Sequence, residues 1–251
     1  MHEKHKREES SSITRAVIVA AGRSTRLHPL TLEKPKGLLE VAGEALLVRS
    51  VRLLRESGIR EIAVVVGFEA SQIVAALEGQ CSFLVNPFYP LCNNMGSLWF
   101  AREFVGSEPF VYLHGDLIYD ERILKEALVA GSKPVADLEL VTDFGPVDEE
   151  AMKVRASTDG FLIESSKDIP LNEAAGEWTG IAAVRKPKPV FQMIEELLLA
   201  GSHNVYDTAA FTRLASEGMR MLCSPTHGLP WKEIDFASDL EEARRLFGGN
   251  R

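Results

Sequence analysis

Three cysteines, Cys81, Cys92 and Cys223, are all that the 251 residues contain, and none has a CxxC or Cys/His spacing. That scarcity excludes a disulfide framework and a structural zinc site. Long apolar runs are missing as well, since none approaches the roughly 18 residues that a membrane span requires. Positive charge is in deficit. The 28 Lys and Arg against 36 Asp and Glu leave a net charge of −8, which speaks against nucleic acid as a partner, so affinity for phosphate must come from a local site. Neither GxxxxGK[ST] nor GxGxxG occurs, which counts against P-loop kinases and dinucleotide enzymes. The opening run, residues 1–14, has little apolar content and no signal-peptide core, and it reads as a disordered tail with His2 and His5 as exposed bystanders. What is present, 45% apolar and 25% charged residues, suits one cytoplasmic α/β domain over residues 15–251.

The hydrophobic pattern alternates between buried-strand and helix signatures. AVIVAA (16–21), EIAVVVG (61–67), CSFLVN (81–86) and PFVYLHGD (109–116) are short β-branched or apolar runs, as strands covered on both faces require. Between them, 45–57 has helical periodicity stopped by Gly58, 71–77 reads as a helix capped by Ser71, and 97–104 reads as a third helix. This β-α-β-α-β-α-β order predicts a doubly wound, mostly parallel, Rossmann-like sheet. After a helix at 121–130, the runs at 136–143, 152–158 and 161–167 alternate with period two and predict a mixed or antiparallel region. A strand at 178–186, helices near 188–200 and 207–217, a strand at 220–225 and a helix near 238–247 complete the chain.

The most informative stretch is AAGRSTRLHPLTLEKPKGLLEV, a small-residue turn directly after the first strand. Ligands of open α/β sheets bind at the carboxyl ends of the strands, where this loop must lie. Ala20, Ala21 and Gly22 allow close backbone approach to a base or phosphate, and successive N–H groups there can form an anion-binding concavity. Ser24 and Thr25 add hydroxyls, Arg26 a planar fork for phosphate oxygens, and Lys36 a compact charge. The stretch resembles the signature A-(A/G)-G-x-G-(T/S)-R-L-x-P-L-T…K-P-K of the sugar-phosphate and choline-phosphate nucleotidyltransferases. Ser24 departs from it, standing where that pattern has its second glycine.

The resemblance implies a GT-A-like nucleotidyltransferase fold and a Mg²⁺ ion held against the triphosphate by Asp116, in YLHGD, and Asp235, in WKEID. Hard oxygen ligands at a strand end are what Mg²⁺ prefers. Asp120 and Glu233 are expected to be surface carboxylates and His114 a structural histidine. The segment NPFYPLCNNMGSLWFA (86–101) offers the amides of Asn93 and Asn94 and the hydroxyl of Ser97 to the nucleotide. It resembles the corresponding segment of small cytidylyltransferases that act on phosphocholine and phosphonates, which implies CTP as donor. The same resemblance assigns Lys153 to the phosphates or the acceptor. Trp178, Arg155 and Lys167 are expected on the acceptor side, with Phe88, Tyr89 and Trp231 as further members of an aromatic cage should the acceptor carry a quaternary ammonium. The chemistry implied is cytidylyl transfer to a small phosphonate or phosphate monoester, with a sugar-1-phosphate nucleotidyltransferase or a phosphocholine cytidylyltransferase as alternatives.

Overall fold

The computed structural model describes residues 13–130 and 136–249, backbone only at 129 and 130. Most of the expected tail, residues 1–12, lies outside the described residues, but its last two positions belong to the fold. Ile13 is buried in the core, and Thr14 O accepts from Arg60 N and Glu61 N.

The expected alternation forms. β1 (Arg15–Ala20) leads through a loop and a small hairpin, β2 (Glu40–Val41) and β3 (Glu44–Ala45), into α1 (Leu46–Glu56). β4 (Glu61–Val66), α2 (Ala70–Ala76), β5 (Ser82–Val85), α3 (Asn94–Trp99), α4 (Arg102–Val105) and β6 (Phe110–His114) follow. β1 pairs in parallel with β4 on one side and β6 on the other, and β4 carries β5 at the sheet edge. The chain therefore reverses its direction of winding between β1 and β6, and a crevice opens at their carboxyl ends. Burial follows the period-two rule. Ala16 and Ile18 enter one core with Leu47, Leu54 and Ile123, while Val17 enters the opposite core with Leu98, Tyr112 and Phe211.

The second half is mixed, as expected. After β7 (Leu117–Tyr119) and α5 (Glu121–Ala130) come β8 (Leu138–Asp143), β9 (Lys153–Ala156), β10 (Leu162–Ser166) and β11 (Gly176–Val184). β11 runs antiparallel to β6, β8 and β9, with its register broken between Trp178 and Ala182. α6 (Pro187–Leu199), α7 (Thr208–Ser216), β12 (Met221–Pro225), β13 (Trp231–Glu233) and α8 (Ala237–Phe247) close the chain.

Two local expectations change. α2 begins at Ala70, one residue ahead of the predicted cap Ser71, after Glu69 in a left-handed conformation. The third helix begins at Asn94, because the Asn93 side chain accepts from Asn94 N and caps it, so Ser97 lies inside the helix.

The short ladder between β7 and β13, unforeseen from the sequence, positions the site. It pairs Leu117 with Glu233, and Ile234 N donates to Asp116 O at 3.1 Å. Ile234 is buried in a third core with Leu27 of the loop after β1, Ile118 and Leu240 of α8. Burying a side chain of this size contributes about 1.5–3 kcal/mol. Its two neighbours, Glu233 and Asp235, are thereby presented to the crevice.

Candidate active site

The crevice holds a cavity of about 310 Å³. Its floor is tight, since a Cβ on Gly115 would lie 2.7 Å from Ala20 Cβ and 2.9 Å from Val19 O. Only a glycine lets β6 end this close to β1. Ala20, Ala21, Gly22, Ser24, Thr25 and Arg26 all line the cavity. Ser24 adopts φ 52° and ψ 48°, the left-handed region, and its carbonyl accepts from the buried Thr31 hydroxyl at 2.8 Å. The loop thus keeps the bend that a glycine makes easily, at a cost of roughly 1–2 kcal/mol for an L residue.

Lys36 is the electrostatic centre. Its Nζ lies 2.7 Å from Asp116 Oδ2 and 2.7 Å from Asp235 Oδ1, with the lysine side chain 12% exposed. Burial alone would lower the ammonium pKa, but Asp116 and Asp235 outweigh it and hold the group above the ordinary lysine range. Burial would likewise raise the Asp235 carboxyl. The Lys36 and Arg26 charges reverse that and keep it below the ordinary range. Arg26 reaches Asp235 Oδ2 at 2.6 Å but is 45% exposed, so this pair is screened and weak beside the Lys36 pairs.

The carboxylates retain unused capacity. Asp116 Oδ1 is buried with no hydrogen-bond partner among the described residues, a costly state that a bound cation would relieve. Ligand atoms of His114, Asp116 and Glu233 lie within 4.8 Å of one another. Glu233, expected at the surface, lines the cavity. The oxygens of Asp116, Asp235 and Glu233 fit Mg²⁺, which favours carboxylates and water over imidazole.

His114, expected as a structural histidine, also lines the cavity. Its Nε2 lies 2.9 Å from Asp207 Oδ2 and 3.1 Å from Asn94 Nδ2, and its Nδ1 lies 3.7 Å from Glu233 Oε1. Burial lowers the imidazole pKa, but Asp207 and Glu233 overcome this and raise it well above the usual value. Asn93, Asn94 and Ser97 line the same wall. The Ser97 hydroxyl accepts from Asn86 Nδ2 at 2.9 Å, a buried bond that ties α3 to the end of β5.

The acceptor-side expectations divide. Lys167 and Trp178 line the cavity, joined by Met152 and Tyr206, which sequence reasoning overlooked. Lys153 does not. It is fully buried, and its Nζ donates to Glu149 O at 3.1 Å and Lys167 O at 2.7 Å, so it ties two loops together instead of meeting phosphate. Arg155 is also outside, pairing with Glu164 and Glu173 on the β9–β10 side. Nor do the four aromatics converge. Tyr89 lines the cavity, whereas Phe88 is exposed and Trp231 Nε1 donates to Asp143 Oδ2 at 2.8 Å.

Residues 16–144 match the family described as the MobA-like NTP transferase domain. The chain is 28% identical over 94% of its length to CMP-5'-(3-aminopropyl)phosphonate synthase of Streptomyces rubellomurinus, spanning 39% of that protein. It is 28% identical over 92% of its length to a bifunctional IPC transferase and DIPP synthase of Aquifex aeolicus, spanning 51% of it. The chain thus spans between about two fifths and half of the length of these curated relatives. The inositol-1-phosphate CTP transferase structure from T. maritima superposes with a TM-score of 0.79 at 20% identity, covering 96% of this chain and 98% of that one, a likeness of fold.

Proposed function

The chain belongs to the MobA-like NTP transferase domain family, and from that premise we propose that it transfers CMP from CTP to a small phosphonate or phosphate-monoester acceptor, releasing pyrophosphate, with Mg²⁺ as cofactor. The arrangement that carries this reading is Lys36 between Asp116 and Asp235 at the carboxyl ends of β1 and β6. Without ligand, the cations and carboxylates neutralise one another. A nucleoside triphosphate with its metal matches that pattern in both signs, because phosphates can take Lys36 and Arg26 while the metal takes the freed carboxylates. A bare triphosphate would have to separate the pairs with no compensation for the carboxylates.

Asp116, Asp235 and Glu233 would hold Mg²⁺, which supplies charge neutralisation on the phosphate oxygens. The acceptor phosphonate or phosphate is ionised at neutral pH and needs no general base. One of its oxygens attacks the α-phosphorus, the bond from that phosphorus to the pyrophosphate oxygen breaks, and the electron pair leaves with pyrophosphate. Lys36 and Arg26 align the chain of phosphates and offset the charge that develops, an effect worth about 3–4 kcal/mol for each well-placed donor.

Cytidine is favoured by the Asn93–Asn94 wall and by the CMP- and CTP-linked names of the relatives. Lys167 in the cavity and the dispersed aromatics support an anionic acceptor over a quaternary ammonium one. No described helix is long and apolar enough to cross a membrane. The test is pyrophosphate release with each of the four NTPs, Mg²⁺, and a panel of phosphonates, phosphocholine and sugar 1-phosphates. Turnover with CTP and a phosphonate or phosphate monoester is expected. UTP or dTTP with a sugar 1-phosphate as the preferred pair would replace this reading by a sugar nucleotidyltransferase.

A further inference from the structure

Behind the cavity wall lies a carboxylate that transfer chemistry has not used. Asp207 is fully buried just before α7, where its Oδ1 accepts from Thr208 N at 2.9 Å. Its Oδ2 accepts from the Tyr112 hydroxyl and lies 2.9 Å from His114 Nε2. A helix cap needs only the first of these bonds, and an uncharged Ser or Asn makes it equally well. Burying a full charge is costly, so a carboxylate at this place is explained by what its other oxygen holds.

That oxygen fixes the His114 ring. An ionised carboxylate can only accept, so Nε2 carries a proton directed at Asp207. Trp178 meets the ring edge-on at 5.0 Å between centroids, and a Cβ on Gly180, which has φ +82°, would lie 2.9 Å from Nδ1. The ring has one seat. From it, Nδ1 faces Glu233 Oε1 at 3.7 Å, and Nε2 stands 3.1 Å from the Asn94 amide. Because the Nε2 proton already points at Asp207, Asn94 is best satisfied by turning its oxygen to the ring and its NH₂ to the cavity. One buried group thus governs a carboxylate on the metal side and an amide on the nucleotide side.

We propose that Asp207 is a positioning residue for nucleotidyl transfer, orienting Glu233 and Asn94 through the His114 ring. The inference rests on the transferase reading above. Asp207 touches no substrate and moves no proton. Its contribution is to remove rotational freedom from two cavity groups before substrate arrives. Outer partners of metal-site ligands act in this way, and their loss commonly costs 10–100-fold in metal affinity or activity.

The experiment compares wild type with Asp207→Asn, Tyr112→Phe and His114→Gln. Asparagine keeps the helix cap but can present an NH₂ to Nε2, which breaks the hold on the ring. Long-range ¹H–¹⁵N spectra of the imidazoles, with His114 assigned by its loss in His114→Gln, are read first and need no turnover. In wild type Nε2 is expected to stay protonated in the neutral ring and the imidazolium alike, whereas in Asp207→Asn the neutral ring should average between tautomers. An averaged ring in wild type overturns the proposal whatever the enzyme does. In pyrophosphate assays, Asp207→Asn should lower kcat by 10–100-fold and raise the Mg²⁺ concentration for half-maximal rate about tenfold, with the melting temperature nearly unchanged. Tyr112→Phe, which keeps the Asp207–His114 contact, should alter stability but not the Mg²⁺ midpoint. Unchanged kcat and an unchanged Mg²⁺ midpoint in Asp207→Asn, whatever happens to the melting temperature, would leave Asp207 a purely structural residue and overturn the proposal. Absence of wild-type turnover with every NTP would count against the transferase reading, whereas the imidazole spectra would still decide whether Asp207 holds the ring.

Discussion

Lys36 and Asp235, 199 positions apart in the chain, meet at 2.7 Å inside the crevice, with Asp116 on the other side of the same ammonium. Lys36 is therefore the charge that makes two adjacent carboxylates tolerable and, in the proposed function, also the ligand of a phosphate. Lys36→Ala is expected to lower kcat by two to three orders of magnitude and to destabilise the ligand-free protein at neutral pH. Added Mg²⁺ should raise its melting temperature more than that of wild type, because the metal replaces the missing charge. Pyrophosphate assays and thermal melts with and without Mg²⁺ check this, and near-normal turnover in the purified variant would refute the role of Lys36.

Ser24 holds a left-handed backbone with φ 52° in the loop after β1. Ser24→Gly relieves that conformation but gives the unfolded chain more freedom, a loss of about 0.4–1 kcal/mol, so it should be neutral or stabilising by up to about 1.6 kcal/mol. Ser24→Val should cost at least about 1 kcal/mol, because a β-branched residue fits this region poorly. Urea denaturation of the two variants is the measurement. Equal stability of the glycine and valine proteins would show that the loop relaxes out of this conformation.

Glu177 provides a pH signature. Burial, reinforced by the nearby Glu233 and Asp148 charges, raises its carboxyl from 4.5 to about 7. The folded state therefore binds the extra proton between those values, and stability falls as pH rises from about 4.5 to 7. Glu177→Gln should be more stable than wild type at pH 8, by about 1–2 kcal/mol after discounting for partial exposure. The difference should vanish by pH 4. Denaturation at the two pH values tests it, and a gain that persists at pH 4 would trace to packing instead.

Lys153 and Arg155 lie two positions apart in the chain and should behave differently from each other and from Lys167. Lys153→Met strands the Glu149 and Lys167 carbonyls and should cost about 1–3 kcal/mol. Arg155→Ala removes exposed pairs and should leave stability within about 1 kcal/mol and turnover within about twofold. Lys167→Ala should raise KM for the acceptor more than KM for CTP. A KM effect of Arg155→Ala as large as that of Lys167→Ala would return Arg155 to the acceptor side.

The amino-acid pattern by itself determined the parallel strands and the small-residue loop with its cations at the end of β1, because these rest on local rules. Buried strands need β-branched runs, a phosphate loop needs small residues and cations close in sequence, and both can be read within some twenty positions. It also placed Asp116, since the end of a core strand is a local feature. Which cations face the cavity was not local. Lys153 and Arg155 lie on one strand, yet Lys153 reaches the carbonyls of Glu149 and Lys167 and Arg155 reaches the carboxylates of Glu164 and Glu173, all set by segments outside β9. Glu233 reads as a surface residue in the sequence because its position depends on Ile234 burying against Leu27 and Ile118, contacts between segments far apart in the chain. Asp207 carries no local signal in the sequence, and only the packing of α7 on β10 and α6 brings it under His114. Local propensity decides which elements form. The site is completed by side chains from distant segments, whose placement is set by the long-range burial that holds those elements together.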